Sequence, residues 1–482
     1  MSRYLNYHWF QITALLLVIT EVLSLAAYTL SWLNWLLLLA ITVATIWLLR
    51  RDRRWALYLP LAELVWGSLG KSFYWTIGGA EVSLRLLLFV IIFLVSLPSI
   101  ISSLRKISWS QPLARWYGAV VFFLALAITV GFLRHNSLAT MFFDANNYLY
   151  LGYWLVWFDL IPTIDWKKVA AIAVAAVLIV SLKALAIFHI FAHAYPWANI
   201  AYLYLWVRDT KVGELTFVTG NVWRVFFQSQ LYLVIIWLMG LLLLSLDASV
   251  RFTKKNWLLL TVIGSAILIS LSRSFGVALI GTVIITIPLI AMRLHLSWKR
   301  IGLIICLVLS SAVLTLGLLF VPPVDADVAA AFARRLSGGE EAASSRANLL
   351  PVLIHGIETN WVGGAGFGST LTYINQDPRI RNLANPDGTY TTYAFELGWL
   401  DFAFKFGILG WLTWFSLIVY LLWLCWKRGV ERHQIALILT GSGLLFISLT
   451  HALTPYLNHP LGLGYLILVW LYLYHDKTQS SH

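Results

Sequence analysis

The sequence predicts an all-α, polytopic integral membrane protein of about fourteen transmembrane helices, with cytoplasmic termini and one large extracytoplasmic helical loop. Three observations carry that expectation. Hydrophobic residues make up 60% of the chain and charged residues 11%, with a mean hydropathy of +0.81. A soluble domain is about half apolar and a quarter charged, so this chain cannot hide its apolar surface in water. Apolar runs of about 20 residues, the length a bilayer demands, recur from end to end. Each must be helical, because a spanning helix satisfies its own backbone polar groups where no water can. Finally, basic clusters fall in every second loop, the signature of the positive-inside rule.

In chain order the spans fall at 9–28, 32–49, 55–70, 84–103, 116–134, 147–163 and 169–190, then at 223–246, 256–271, 275–292, 300–320, 396–425, 434–452 and 460–474. The first run, Phe10 to Tyr28, follows only Arg3, contains Glu21 and lacks a small-residue cleavage site. It reads as an uncleaved span, not a signal peptide. Arg50, Arg51, Arg53 and Arg54 follow the second span; Arg105, Lys106 and Arg115 the fourth; Lys167 and Lys168 the sixth. Arg251, Lys254 and Lys255 continue the alternation, then Arg293, Lys299 and Arg300, then Lys427, Arg428 and Arg432. The net charge of +13 is thus mostly a topology signal. A nucleic-acid partner would need the charge gathered on one soluble face, so none is expected. Tryptophans near span ends, such as Trp32, Trp35, Trp154 and Trp157, read as interfacial anchors. Cys306 and Cys425 lie in apolar segments, which leaves no disulfide framework and no metal cluster. Without a fixed-period or inverted repeat, 1–482 reads as a single membrane domain.

Three extracytoplasmic segments are long, at roughly 70–84, 190–222 and 321–395. The last is too long to be a mere connector. Within it, Asp325 to Leu336 reads as an Ala-rich amphipathic helix and Ser337 to Glu341 as a flexible link. Ser344-Ser345-Arg346 reads as a serine-capped helix start, unless Pro351 moves the cap toward Asn348. The serine cap puts Arg346 at a helix N-terminus, which favours an anion. Gly363 to Gly368 lacks the spacing of a phosphate-binding loop and reads as a turn-rich return to the membrane.

Two arginines run against the charge bias. Arg224 (NVWRVFFQ) opens the eighth span, and Arg273 (SLSRSFG) sits in the tight turn between spans nine and ten. Either alone is explained by snorkelling or an ion pair. With Arg346 on the covering loop they make a shared anion site, because guanidinium donates paired hydrogen bonds and never deprotonates. Lys71 and Asp144 are further substrate-binding candidates. Lys71 flanks the second outside loop with Glu63, Glu81 and Arg85, and Asp144 flanks the third with Asn146 and Asn147. Lys183, His189 and His193 read as internal pairing, and the two histidines lack a third zinc ligand.

SLSRSFGVALIGTV, then a basic loop, a span, and a long outside loop containing SSRANLLPVLIHGIETNWVGGAGFGS resembles the core of the O-antigen ligase and polymerase (Wzy-type) superfamily. Arg273, Arg346 and Gly364 to Gly368 match its pattern, although Trp361-Val362 stands where proline-leucine is usual. Arg224 takes the place of the arginine ahead of that core, and Gly407-Ile408-Leu409-Gly410 closes a segment like the family's re-entry helix. The likeness covers 220–410; the front half agrees in topology alone. Ligases of the superfamily carry a histidine near the start of the re-entry segment. Here 390–398 has none, and Glu396 is the natural substitute, as in the polymerase branch.

The resemblance implies a metal- and cofactor-independent glycosyltransferase of the bacterial plasma (inner) membrane. Its donor and acceptor would be polyprenyl-pyrophosphate-linked glycans, with a chain-length regulator and a flippase as candidate partners in the bilayer. Glu396, Arg273 and Arg224 would be catalytic, and Arg346 would bind substrate with Arg224, Arg273, Asp144 and Lys71. The nearest alternative is a ligase transferring the glycan to lipid A core. A transferase using polyprenyl-monophosphate sugars would carry acidic residues in its first outside loop, and Tyr28 to Trp32 has none. A flippase would place charges deep in a central cavity and need no large outer loop.

Overall fold

The computed structural model describes residues 4–77, 80–247, 250, 253–291, 298–336, 341–375, 380–382 and 385–479. The first helices are α1 (Tyr7–Thr29), α2 (Ser31–Arg51) and α3 (Trp55–Trp66), then the hairpin β1 (Tyr74–Ile77) and β2 (Ala80–Ser83). After it come α4 (Leu84–Lys106), α5 (Pro112–Leu133) and α6 (Leu138–Ala145). The Asn6 and Ser83 side chains accept the first free N–H groups of α1 and α4. Pro112 opens α5, where its missing N–H has no partner to lose. The chain then passes through 3₁₀ turns around α7 (Tyr153–Phe158) into α8 (Trp166–His193), which Asp165 caps.

Next come α9 (Ile200–Asp209), the hairpin β3 (Gly213–Thr219) and β4 (Val222–Phe227), α10 (Gln230–Leu246) and α11 (Lys254–Leu268). They are followed by α12 (Arg273–Ala291), α13 (Trp298–Phe320), α14 (Val328–Leu336) and α15 (Glu341–Thr359). A third hairpin, β5 (Leu371–Ile374) with β6 (Thr389–Thr392), leads to α16 (Gly398–Glu431), α17 (Ile435–Leu453) and α18 (Pro460–Gln479).

Among the described residues eight helices are long and apolar enough to cross a membrane: α1, α2, α4, α5, α8, α13, α16 and α17. The other six expected spans do not combine length with apolarity among the described residues. α3, α10 and α11 hold 12, 17 and 15 residues. Residues 147–163 break into short turns where Asn146, Asn147, Gly152 and Pro162 interrupt the helix. The end of α12 lies outside the described side chains, and α18 closes on the polar run His475 to Gln479.

Burial separates inner from outer helices. α8 and α17 are mostly buried, whereas α1, α2, α4 and α13 expose Leu15, Val22, Leu39, Val43, Leu94 and Val313 to the surroundings. Apolar side chains exposed on helices apolar all round belong in hydrocarbon, so this is a membrane-embedded bundle. Trp32 and Trp35 stand exposed, as anchors should. Trp154 and Trp157 do not. Both are fully buried: Trp154 stacks on Tyr117 at 4.1 Å, and Trp157 donates to the Ala56 carbonyl at 2.7 Å. They are core residues because their span is broken and packed inward.

Long-range contacts sort the loops into two ends. At one end, Tyr4 donates to Asp247 at 2.6 Å, the Asn6 N–H reaches Lys167, and Arg53 pairs with Asp159 at 3.0 Å. Arg300 caps the Leu244 and Ser245 carbonyls, and Arg432 pairs with Asp476 at 2.9 Å. At the other end, Tyr28 donates to Asp209 at 2.7 Å, Ser24 to the Ser72 carbonyl, and His193 Nε2 lies 2.9 Å from the Pro322 carbonyl. Arg251, Arg293 and the expected link at 337–340 lie outside the described residues.

Candidate functional site

Arg224 does not open a helix. It lies in β4, opposite Thr216 of β3, because Thr, Val and aromatic residues on both sides of Gly220 favour a hairpin over a continued span. Its Nε donates to the Ser270 carbonyl at 3.0 Å, Nη1 lies 3.3 Å from Glu214, and the guanidinium stacks over Phe226 at 4.6 Å. The Val225 N–H also bonds the Ile269 carbonyl at 3.1 Å. The hairpin is thereby stitched to the turn before α12, whose first residue is Arg273. Arg224 and Arg273 thus occupy one rim.

Arg346 is not at a helix N-terminus either. α15 begins at Glu341, so Ser345 and Arg346 are inside the helix, and the terminal-dipole argument for Arg346 fails. Pro351 is accommodated within the same helix, giving up the bond its N–H would have made. The Ser345 hydroxyl donates to Asn375 Oδ1 at 2.6 Å. Arg346 Nε bonds Glu396 at 2.5 Å, with the two side chains 32% and 52% exposed. A small apolar cluster of Leu349, Leu353, Ala365, Phe395 and Phe404 pins α15 to the start of α16, and so holds this pair in place.

Beneath the pair lies a sealed ionic cluster. Lys405 Nζ is 2.6 Å from Asp144 Oδ1 and 2.8 Å from Asp401 Oδ1, and all three side chains are buried. Asn458 donates to Asp401 Oδ2 at 3.0 Å, and the Gly368 N–H donates to Asp144 Oδ2 at 3.0 Å. The cluster therefore ties together α6, α16, the 454–459 loop and the glycine-rich exit. Asp144 is structural here: both of its oxygens are committed to protein donors. Burial raises the Tyr393 phenol, with Asp144 adding to the rise and Lys405 opposing it.

The glycine-rich exit explains its own composition. The Ala365 N–H bonds the Phe404 carbonyl at 2.7 Å, and the Gly366 N–H bonds the Lys405 carbonyl at 3.1 Å. Those carbonyls are available because α16 breaks at Gly407, which has φ 67° and ψ −177°. Gly364 (φ +74°) approaches so closely that a Cβ would lie 2.2 Å from the Lys405 carbonyl oxygen. Segment 361–368 thus plugs the gap between α5 and the half-helix Gly398–Phe406.

Loop 454–459 connects the arginine rim to this cluster. The Tyr456 ring lies 5.9 Å from Phe275, and its hydroxyl donates to Gln228 at 3.4 Å. Burial raises the Tyr456 phenol, and the nearby Arg224 charge opposes that rise. Two residues on, Asn458 holds Asp401. His459, nearby, is pushed down to about 3 by removal from water and by the Arg85 charge, so it stays neutral above that pH.

The remaining candidates separate. Lys71 pairs with Glu81 beside the β1–β2 hairpin. Arg85 and Glu63 form a buried bidentate pair at 2.9 and 3.0 Å. Lys183 pairs with Glu21 at 2.5 Å, and His189 Nδ1 lies 2.8 Å from the Leu318 carbonyl. Lys405, Asn458 and His459 escaped the sequence reading. Asp401 and Lys405, four residues apart in an apolar helix, were the available signal, since such charges pair across one helical turn.

Together these residues form an accessible guanidinium–carboxylate pair above a rigid buried cluster, with two further arginines on a neighbouring rim. Such a site can bind an anion and accept a proton. No protein-family model matches the chain, and no curated protein matches it.

Proposed function

We propose that this protein is a membrane glycosyltransferase. It polymerises polyprenyl-pyrophosphate-linked repeat units into a surface polysaccharide, and its arginine-bearing rim faces out of the cytoplasm. The carrying observation is the Arg346–Glu396 pair: 2.5 Å long, accessible, and set on a braced platform while the other charges of the platform are sealed. The sequence resemblance over 220–410 supports the same reading.

The chemistry follows from the pair. A donor pyrophosphate takes Arg346 from Glu396, because a phosphate presents the guanidinium fork with a stronger bidentate partner. Glu396, released, accepts the proton of the acceptor hydroxyl. That oxygen bonds the donor's anomeric carbon as the carbon–oxygen bond to pyrophosphate breaks. The electron pair leaves with polyprenyl pyrophosphate, whose charge the arginines stabilise. The sugar centre passes through an oxocarbenium-like state, as in glycoside hydrolysis.

A deletion strain examined by glycan gel tests the proposal. Collapse of the ladder to a single repeat on core lipid is expected. Undecorated core with accumulating lipid-linked polymer would make the protein a ligase. An unchanged ladder would refute both.

A further inference from the structure

We propose that the end of the bundle opposite the candidate site carries a binding site for the phosphate headgroup of an anionic phospholipid, in a cleft between α2, α4 and α7. Two adjoining cavities of about 260 and 320 Å³ open there, sharing Arg53 and Val95. Arg50 and Arg53 supply the charge of the first cavity, and Leu49, Val156 and Leu160 supply an apolar wall. Ser96, Ser99 and Ser102 recur every third residue along α4, so their hydroxyls line one face of the cleft.

Two cations and hydroxyl donors beside an apolar wall match an amphiphile. Arg53 is 58% exposed even while its Nη2 pairs with Asp159 at 3.0 Å, and Ser99 donates to the same carboxylate at 2.8 Å. Asp159 therefore fixes Arg53 at the cleft, and Arg50 leaves the site with a net positive charge. Around the mouth, α4 exposes Leu94, Leu97 and Ile101, the surface along which acyl chains lie. A free phosphate has no use for that surface; a phospholipid does. Basic pockets between helices at the positively charged membrane face are where acidic headgroups bind. This site is independent of the glycosyltransferase reading, since it shares no residue with the outer rim.

The test is native mass spectrometry of the full chain in detergent. It is titrated with dioleoylphosphatidylglycerol, dioleoylphosphatidylcholine or inorganic phosphate. The anionic lipid should be retained over the zwitterionic one, and Arg50→Gln should weaken it about fivefold, the worth of one basic residue near an anionic headgroup. Arg50→Gln leaves the Arg53–Asp159 pair intact. Arg51→Gln removes the same charge from the residue that packs over Trp47, and should change retention little. Val95→Trp fills the cleft without altering charge and should abolish the preference. Equal retention of the two lipids, equal loss in Arg50→Gln and Arg51→Gln, or displacement of the lipid by millimolar inorganic phosphate would each overturn the proposal.

Discussion

Glu396 and Arg346 decide the chemistry at the scale of single residues. Glu396→Gln keeps the shape and can still accept a hydrogen bond from Arg346, but it cannot take a proton. Turnover should fall by about 10²–10⁴-fold while lipid-linked donor still binds. Retention of near-parental turnover would remove Glu396 as the base. Arg346→Lys keeps the charge and loses the fork, so the rate should drop about tenfold to a hundredfold, the worth of a charged hydrogen bond. Lys405 belongs to a different class. Lys405→Met strands two buried carboxylates and should destabilise the protein by roughly 3–5 kcal/mol, read as lost thermal stability in detergent. A Lys405→Met, Asp144→Asn, Asp401→Asn triple variant should recover part of that loss.

These residues also show where sequence reasoning stops. Arg224 and Arg273 were visible because they run against the charge bias, Arg346 because it lies on the large outside loop, and Glu396 through the family resemblance. The Arg224 partners Ser270 and Glu214, and the Asp401 partner Asn458, were not, because they are unremarkable in a linear string and acquire meaning only through contacts across the fold. Asp144 was a substrate-binding candidate because it flanks the third outside loop, and burying a carboxylate is costly. Its cost is instead met by Lys405, 261 residues away.

At the scale of elements, the broken helix α16 organises the site. Gly407 occupies a backbone region essentially closed to other residues, and a Cβ there would lie 2.4 Å from the Val362 carbonyl oxygen. Gly407→Ala should therefore cost on the order of 1–3 kcal/mol and displace segment 361–368. Activity should fall with it; cysteine pairs bridging that segment and α16 report the displacement. An Ala variant with full activity would show that the plug is dispensable. The long outer helices were legible from apolarity and length. The β3–β4 hairpin and the start of α15 were not, since apolar β-branched residues fit a span or a strand, and the acidic opening of α15 competes with the serines that follow.

At the scale of the whole molecule, the grouping of basic loops at one end makes orientation testable. In a chain lacking Cys306 and Cys425, cysteine at Asp325 or His355 should react with an impermeant thiol reagent in intact cells. Cysteine at Arg53 should react only after lysis. Labelling of the Arg53 position in intact cells would invert the orientation and put the rim on the wrong side for an exported donor. Eight of the expected spans are long apolar helices among the described residues; hydropathy alone cannot separate a lipid-facing helix from a short or broken one buried inside the bundle, as at 147–163.

Reconstitution tests whether the protein joins lipid-linked repeat units. Purified protein in liposomes is given lipid-linked repeat units from its own source, with metal chelated and no nucleotide sugar. Product length and free polyprenyl pyrophosphate are followed together. Oligomers at integer multiples of the repeat are expected, with one polyprenyl pyrophosphate released per bond formed and both lost in Glu396→Gln. Intact donor after prolonged incubation with folded protein, or polymer formed without release of polyprenyl pyrophosphate, would contradict the proposed reaction.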